Sequence, residues 1–168
     1  MGCGKKLVDS VLFIFFLTLT VVVPLFDSQS ALPEKLYPKL LVDLKHTYAN
    51  QVGDYLVLDK PAFFIGLTWI EIFVVWPLSI INLFAIAGGK SWFSTTCLIQ
   101  GVTVFTSMGA IMADMHYSGK VNEKLQMVYY PFTGFAVLAI LRGLLACSGD
   151  AASGAGGRRN LPAKKKRA

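Results

Sequence analysis

The feature that most restricts this chain is the run from Ala62 to Ala87, AFFIGLTWIEIFVVWPLSIINLFAIA, which carries one ionisable residue, Glu71, near its middle. A helix needs about 20 mainly apolar residues to cross the hydrocarbon of a bilayer. Residues 7–26, 92–113 and 127–147 meet the same requirement, the third span being the poorest in apolar residues because it carries many hydroxyls. These four stretches predict an all-α integral membrane protein, a four-transmembrane-helix bundle with helices at about 7–26, 62–87, 92–113 and 127–147. The first stretch has a rival as a secretory signal, with Lys5 and Lys6 before it and SQSA after it. Its apolar run is longer than a usual signal core and no A-x-A site closes it, so a retained helix is expected. The opening MGCG has Lys6 where a myristoylation start carries Ser or Thr.

Composition narrows the function. The chain is 54% hydrophobic, and a soluble domain of 168 residues would not need so much. The net charge of +6 does not point to nucleic acid, because six of the sixteen Lys and Arg residues fall in the last eleven positions, RRNLPAKKKRA. A basic stretch after an apolar segment reads as a cytosolic membrane flank. Cys3, Cys97 and Cys147 do not make a disulfide framework, and Cys97 and Cys147 read as small buried thiols. No Cys/His cluster has metal spacing, and no phosphate-cradling or nucleophile-elbow motif is present, so no metal or cofactor is expected.

Lys5, Lys6, Lys90 and the six basic tail residues stand on one side of four spans, against Lys35, Lys39, Lys45, Lys60, Lys120 and Lys124 on the other. That bias predicts cytosolic termini. Between the first two spans, KLLVDLKHTYA sets Leu40, Leu41, Leu44 and Tyr48 at helical spacing. It reads as a short amphipathic luminal helix that lies at the interface or caps the bundle. The expected organisation is a cytosolic N-terminus (1–6), a membrane domain (7–147) and a disordered basic cytosolic tail (148–168).

A carboxylic acid at mid-membrane costs about 2.5–3.5 kcal/mol on insertion scales and normally faces a bundle interior or a wet cavity. Glu71 is therefore expected to point inward, with Thr68 and Asn82 near the same side. Thr96, Gln100, Thr103 and Ser107 form a stripe on the third span, with Thr106 beside it, and Tyr129 and Thr133 add to it from the fourth. For any single Thr, helix–helix hydrogen bonding is the simpler role. Asp27 closes the first span, three residues after Pro24; Pro77 and Pro131 interrupt the second and fourth. Proline kinks on three helices open space between them, and two acids around that space can hold a cation or share a proton.

Asp27 to Pro38, DSQSALPEKLYP, with WIEIFVVWP downstream, resembles the sigma-2 receptor family. This is a group of EXPERA-domain membrane proteins that includes the emopamil-binding sterol isomerases. The resemblance runs over residues 7–145. It implies a four-helix bundle of the endoplasmic reticulum whose cavity opens to lipid and takes sterols or hydrophobic amines. It also implies that the two defining acids are Asp27 and Glu71, the Glu protonated and hydrogen-bonded to the Asp, which meets the ligand. Tyr48, Thr68, Thr106 and Phe132 are the further ligand-site residues expected. Sigma-2-like members carry a His where this chain has Leu19, and a Tyr where it has Phe132. Both departures make the pocket more apolar and weigh against amine affinity more than against sterol binding.

Three functions compete. The leading one is a non-enzymatic sterol-binding protein that influences intracellular sterol traffic, with a sterol-transporter partner and a homodimer as further expectations of the resemblance. A sterol double-bond isomerase is the alternative, but such members set a His one turn before the membrane Glu, where this chain has Leu67 and Thr68. A ligand-free scaffold or chaperone is the third. Lys165 and Lys166, fourth and third from the end of KKRA, match a dilysine signal read by coat proteins that return membrane proteins to the endoplasmic reticulum.

Overall fold

The structure, a computed structural model, describes residues 3–156, with side chains described between residues 4 and 145. Its helices are α1 (Cys3–Leu25), α2 (Lys39–Val52), α3 (Tyr55–Asp59), α4 (Ala62–Ile70), α5 (Trp76–Ala87), α6 (Phe93–Tyr117) and α7 (Glu123–Gly156). A π-helical turn, Glu71–Val75, joins α4 to α5, and 3-10 turns at Asp27–Ser30 and Glu34–Leu36 lead from α1 to α2. No strand occurs among the described residues. Four stretches are long and apolar enough to cross a membrane: Gly4–Ser30, Ala62–Ala87, Phe93–Tyr117 and Glu123–Leu145.

The third and fourth helices are longer than expected. The third runs past the expected end at about 113, and Tyr55 Oη donates to Asp114 Oδ2 at 2.5 Å, so α6 carries the acid in its last turn. The Asn122 side chain accepts from Leu125 N at 2.7 Å and caps the start of α7. At its other end the backbone stays helical to Gly156, past the expected boundary at 147, because CSGDAASGAG holds no proline to stop it. The rest of the expected tail, Lys165 and Lys166 included, lies outside the described residues.

The prolines decide where these helices bend. Pro24 cannot donate to the carbonyl of Thr20, one turn back. The indole of Trp76 takes that place, with Nε1 donating to Thr20 O at 3.0 Å, and so ties α1 to α5. Ahead of Pro77 the helix widens into the Glu71–Val75 π turn, which sets the proline in the first turn of α5, where a missing N–H is tolerated.

α6 and α7 meet backbone to backbone. A Cβ placed on Gly143 would lie 2.6 Å from Leu98 Cβ and 2.8 Å from Ser94 O; one on Gly101 would lie 2.9 Å from Ile140 N. Small residues at a membrane helix interface permit this approach. Between α5 and α6 the polar stripe closes on itself. Thr96 Oγ1 donates to Asn82 Oδ1 (2.5 Å), Asn82 Nδ2 to Gln100 Oε1 (2.7 Å) and Gln100 Nε2 to Ser79 Oγ (2.6 Å), while Ser79 Oγ donates to Val75 O (2.8 Å). A charged pair ties α1 to α7: Arg142 Nε lies 2.6 Å from Asp9 Oδ1, and its second fork nitrogen 3.2 Å from Oδ2.

Gly143→Leu is expected to destabilise the protein by about 1–3 kcal/mol or to prevent folding, as forced overpacking does. Gly109→Ala, where a Cβ meets nothing within 4 Å, is expected to be neutral or slightly stabilising. Thermal unfolding of both variants in one detergent checks this, and equal melting temperatures would refute the close seam.

Candidate functional site

A cavity of about 440 Å³ lies between α1, α2, the π turn, α6 and α7. That volume falls in the range of about 300–1,000 Å³ usual for small-molecule sites. Its walls are mostly aliphatic and aromatic, and Asp27, Glu71, Asp54, Tyr48, Tyr129 and Ser107 supply the polar groups. Val21, Leu25 and Leu44 belong to the wall yet are 51%, 45% and 55% exposed, so the cavity opens along α1 and α2.

Each acid is set by its own local structure. Asp27 heads the 3-10 turn that ends α1, and the residues after it satisfy that helix end. Ser28 Oγ donates to Pro24 O (2.7 Å), Gln29 Nε2 to Leu25 O (2.6 Å) and Lys45 Nζ to Phe26 O (2.7 Å). DSQS is thus a polar stopper for a membrane helix whose last carbonyls have no lipid partner. Glu71 opens the π turn. Asp54 caps α3, accepting from Leu56 N (3.1 Å) and Val57 N (3.4 Å), and its other oxygen takes Tyr129 Oη (3.0 Å) and, at the limit of a hydrogen bond, Tyr48 Oη (3.5 Å). Burial pushes the Asp54 carboxyl up from the usual range, and the bonds from Tyr129, Val57, Leu56 and Tyr48 draw it back. Burial also lowers the Lys45 ammonium to about 8, against the pull of Asp27.

Of the residues singled out from sequence, the cavity gathers Asp27, Tyr48, Glu71 and Phe132, with Ser107 and Tyr129 from the expected polar stripe. Leu19, at the first-helix departure, also lies in the wall. Asp27 and Glu71 share the cavity. Thr68 and Thr106 do not line it. The Thr68 hydroxyl is buried against its own helix on Phe64 O (3.0 Å), and Thr106 is exposed and bonded to Val102 O (2.9 Å). The α6 face turned to the cavity is Val104, Ser107, Met108 and Ile111, at helical spacing, with Thr106 off that face. On α2, Leu41, Leu44 and Tyr48 reach the cavity, whereas Leu40 is 77% exposed and does not.

Two participants escaped the sequence reading. Asp54 was not singled out; its signal was the Gly53–Asp54 step, a helix stop followed by an N-cap. Lys45 looked like the polar face of α2, yet it is 5% exposed. Neither His46 nor His116 reaches the cavity wall. His46 Nε2 instead lies 3.4 Å from Glu34.

The comparisons with known proteins agree with this architecture. The sequence model of the EXPERA (EXPanded EBP superfamily) domain matches residues 40–146. The chain belongs to this superfamily. The chain is also 27% identical to the Sigma intracellular receptor 2 of Xenopus tropicalis over 154 residues, 84% of this chain and 90% of that protein. It is 28% identical to the receptor of that name from Macaca fascicularis and 27% to that from Homo sapiens, each over 110 residues, 65% of this chain and 62% of the relative. Four helices able to cross a membrane and these relatives make this EXPERA chain a multi-pass membrane protein.

Tyr129→Phe removes the better-placed donor to buried Asp54 and is expected to cost about 1.5–3 kcal/mol, as for a bond to a charged group. Tyr48→Phe, with its 3.5 Å contact, is expected to cost clearly less. Denaturation in a fixed detergent compares the two, and the reverse order would contradict the arrangement around Asp54.

Proposed function

We propose that this chain binds a sterol, a sterol-like lipid or a hydrophobic amine in the α1–α2–α6–α7 cavity, and that it acts in intracellular sterol homeostasis or traffic from the membrane of the endoplasmic reticulum. The observation that carries this is one apolar cavity of about 440 Å³ with Asp27 and Glu71 on its wall. The apolar walls suit a rigid lipid skeleton, and the carboxyls suit a hydroxyl or an ammonium at one end of it. Leu19 and Phe132 within the wall add to the apolar surface and favour the sterol. The absence of both histidines from the wall weighs against the isomerase reading, which needs a proton donor and an acceptor across the ring system.

Cholesterol and its 3-amino analogue differ in a hydroxyl against an ammonium, so competition between them on purified protein tests the site. Asp27→Asn is expected to weaken the amine more than the sterol, by about 10- to 150-fold, the loss of a charge-assisted hydrogen bond. Glu71→Gln, which keeps shape and a donor, is expected to weaken binding without abolishing it. Equal losses for both ligands in Asp27→Asn would remove the ion-pair role; no loss in either variant would put the ligand elsewhere.

Cytosolic termini and retrieval by coat proteins through Lys165 and Lys166 belong to the same proposal. Changing both lysines to Ser in an N-terminally tagged protein is expected to move it to later compartments. A double variant that stays reticular would refute the dilysine reading.

A further inference from the structure

Lys45 is the least expected charge in the fold. It sits on α2, a helix of modest length outside the spans, yet its side chain is driven inward beneath the cavity's acidic end. Its ammonium donates to Phe26 O and to Ser30 Oγ, both at 2.7 Å, and lies 5.5 Å from the centre of the Phe26 ring. Phe26 and Asp27 both belong to the cavity wall, while Lys45 does not. The cation therefore stands behind the wall, anchored by the residues on either side of Asp27. Among the described residues no ion pair joins it to the Asp27 carboxylate, its contact with that residue being to the backbone carbonyl at 3.5 Å, and Asp27 itself lies in the cavity wall.

We infer that Lys45 is a built-in counter-ion to the carboxyl groups of the cavity, and that it sets ligand specificity by favouring a neutral, hydroxyl-bearing lipid over a hydrophobic amine. The inference rests on the proposed ligand site. A cationic ligand at Asp27 would bring a second positive charge close to a fixed one in a poorly screened setting, where like charges repel strongly. A neutral sterol hydroxyl meets the same carboxyls without that cost. The charge of Lys45 acts on Asp27, Asp54 and Glu71 together, and with its ammonium lowered only to about 8 it remains mostly protonated at pH 7. The hydrogen bonds to Phe26 and Ser30 also give the burial a structural reason, since a cation at the C-terminal end of α1 satisfies carbonyls and complements the helix dipole. Charge and hydrogen bonding are separable by substitution.

Lys45→Gln keeps a donor for Phe26 O and removes the charge. Competition between cholesterol and its 3-amino analogue on full-length protein in lipid nanodiscs is expected to shift toward the amine by on the order of 10-fold in this variant. Lys45→Arg, which keeps the charge, is expected to retain the wild-type preference. If Lys45→Gln binds cholesterol with an unshifted ratio, the counter-ion role is overturned while the ligand site stands. If neither ligand binds the wild type, both the site and the inference fall. Should Lys45→Gln not fold, the wild type decides alone: cholesterol bound at least as tightly as the amine supports the counter-ion, and an amine bound more than about 10-fold tighter overturns it.

Discussion

A carbonyl released inside a membrane helix has no lipid atom to bond with, and much of this structure follows from that constraint. Pro24 releases one at Thr20, and the Trp76 indole answers it. The end of α1 releases more, and Ser28, Gln29 and Lys45 answer those. Each answer pulls a neighbouring element into place, the π turn and α5 in the first case, the α1–α2 connection in the second. The cavity is what remains between elements positioned in this way. Asp27 and Glu71 face it because one ends a helix that must be capped and the other opens a turn that must widen ahead of Pro77.

Charge follows the same economy. Asp9 and Arg142 pair between α1 and α7, side on and bidentate, and Arg142 also lies 5.2 Å from the Phe93 ring centre. Neither would be retained in an apolar span without the other. Asp54 gathers two amides and two phenols from three parts of the chain. Among the described residues no buried side-chain nitrogen or oxygen is left without a partner. The polar groups in this bundle are therefore mostly structural, and few remain for a ligand.

That distinction explains what could be read from sequence. The spans were legible because hydropathy and length are nearly sufficient in a bilayer. Glu71 was legible as an inward residue because an acid cannot face lipid cheaply, and Asp27, Tyr48 and Phe132 came with the motifs around them. Thr68 and Thr106 were misplaced because a threonine can bond to its own helix, so its presence says little about which way it faces. Lys45 was missed because a lysine on an amphipathic helix ordinarily marks the wet side. The π turn was missed because Pro77 announces a disturbance without saying whether the helix bends or widens. Asp9 and Arg142 were readable in principle, as opposite charges in two separate spans.

The backbone contact of α6 with α7 has a mechanical consequence. Gly101 and Gly143 leave no room between the two helices, so the pair that carries Val104 and Ile111 on one helix and Tyr129 and Phe132 on the other is joined as a single close-packed unit. The opposite side is α2, which carries Leu41, Leu44 and Tyr48 over the opening and is fastened by side-chain bonds at Lys45 and Gln29 rather than by a backbone seam. Such a chamber has one fixed jaw and one sprung jaw. For the proposed ligand, this asymmetry would place the tolerance for bulk beneath α2 rather than against Val104 and Ile111.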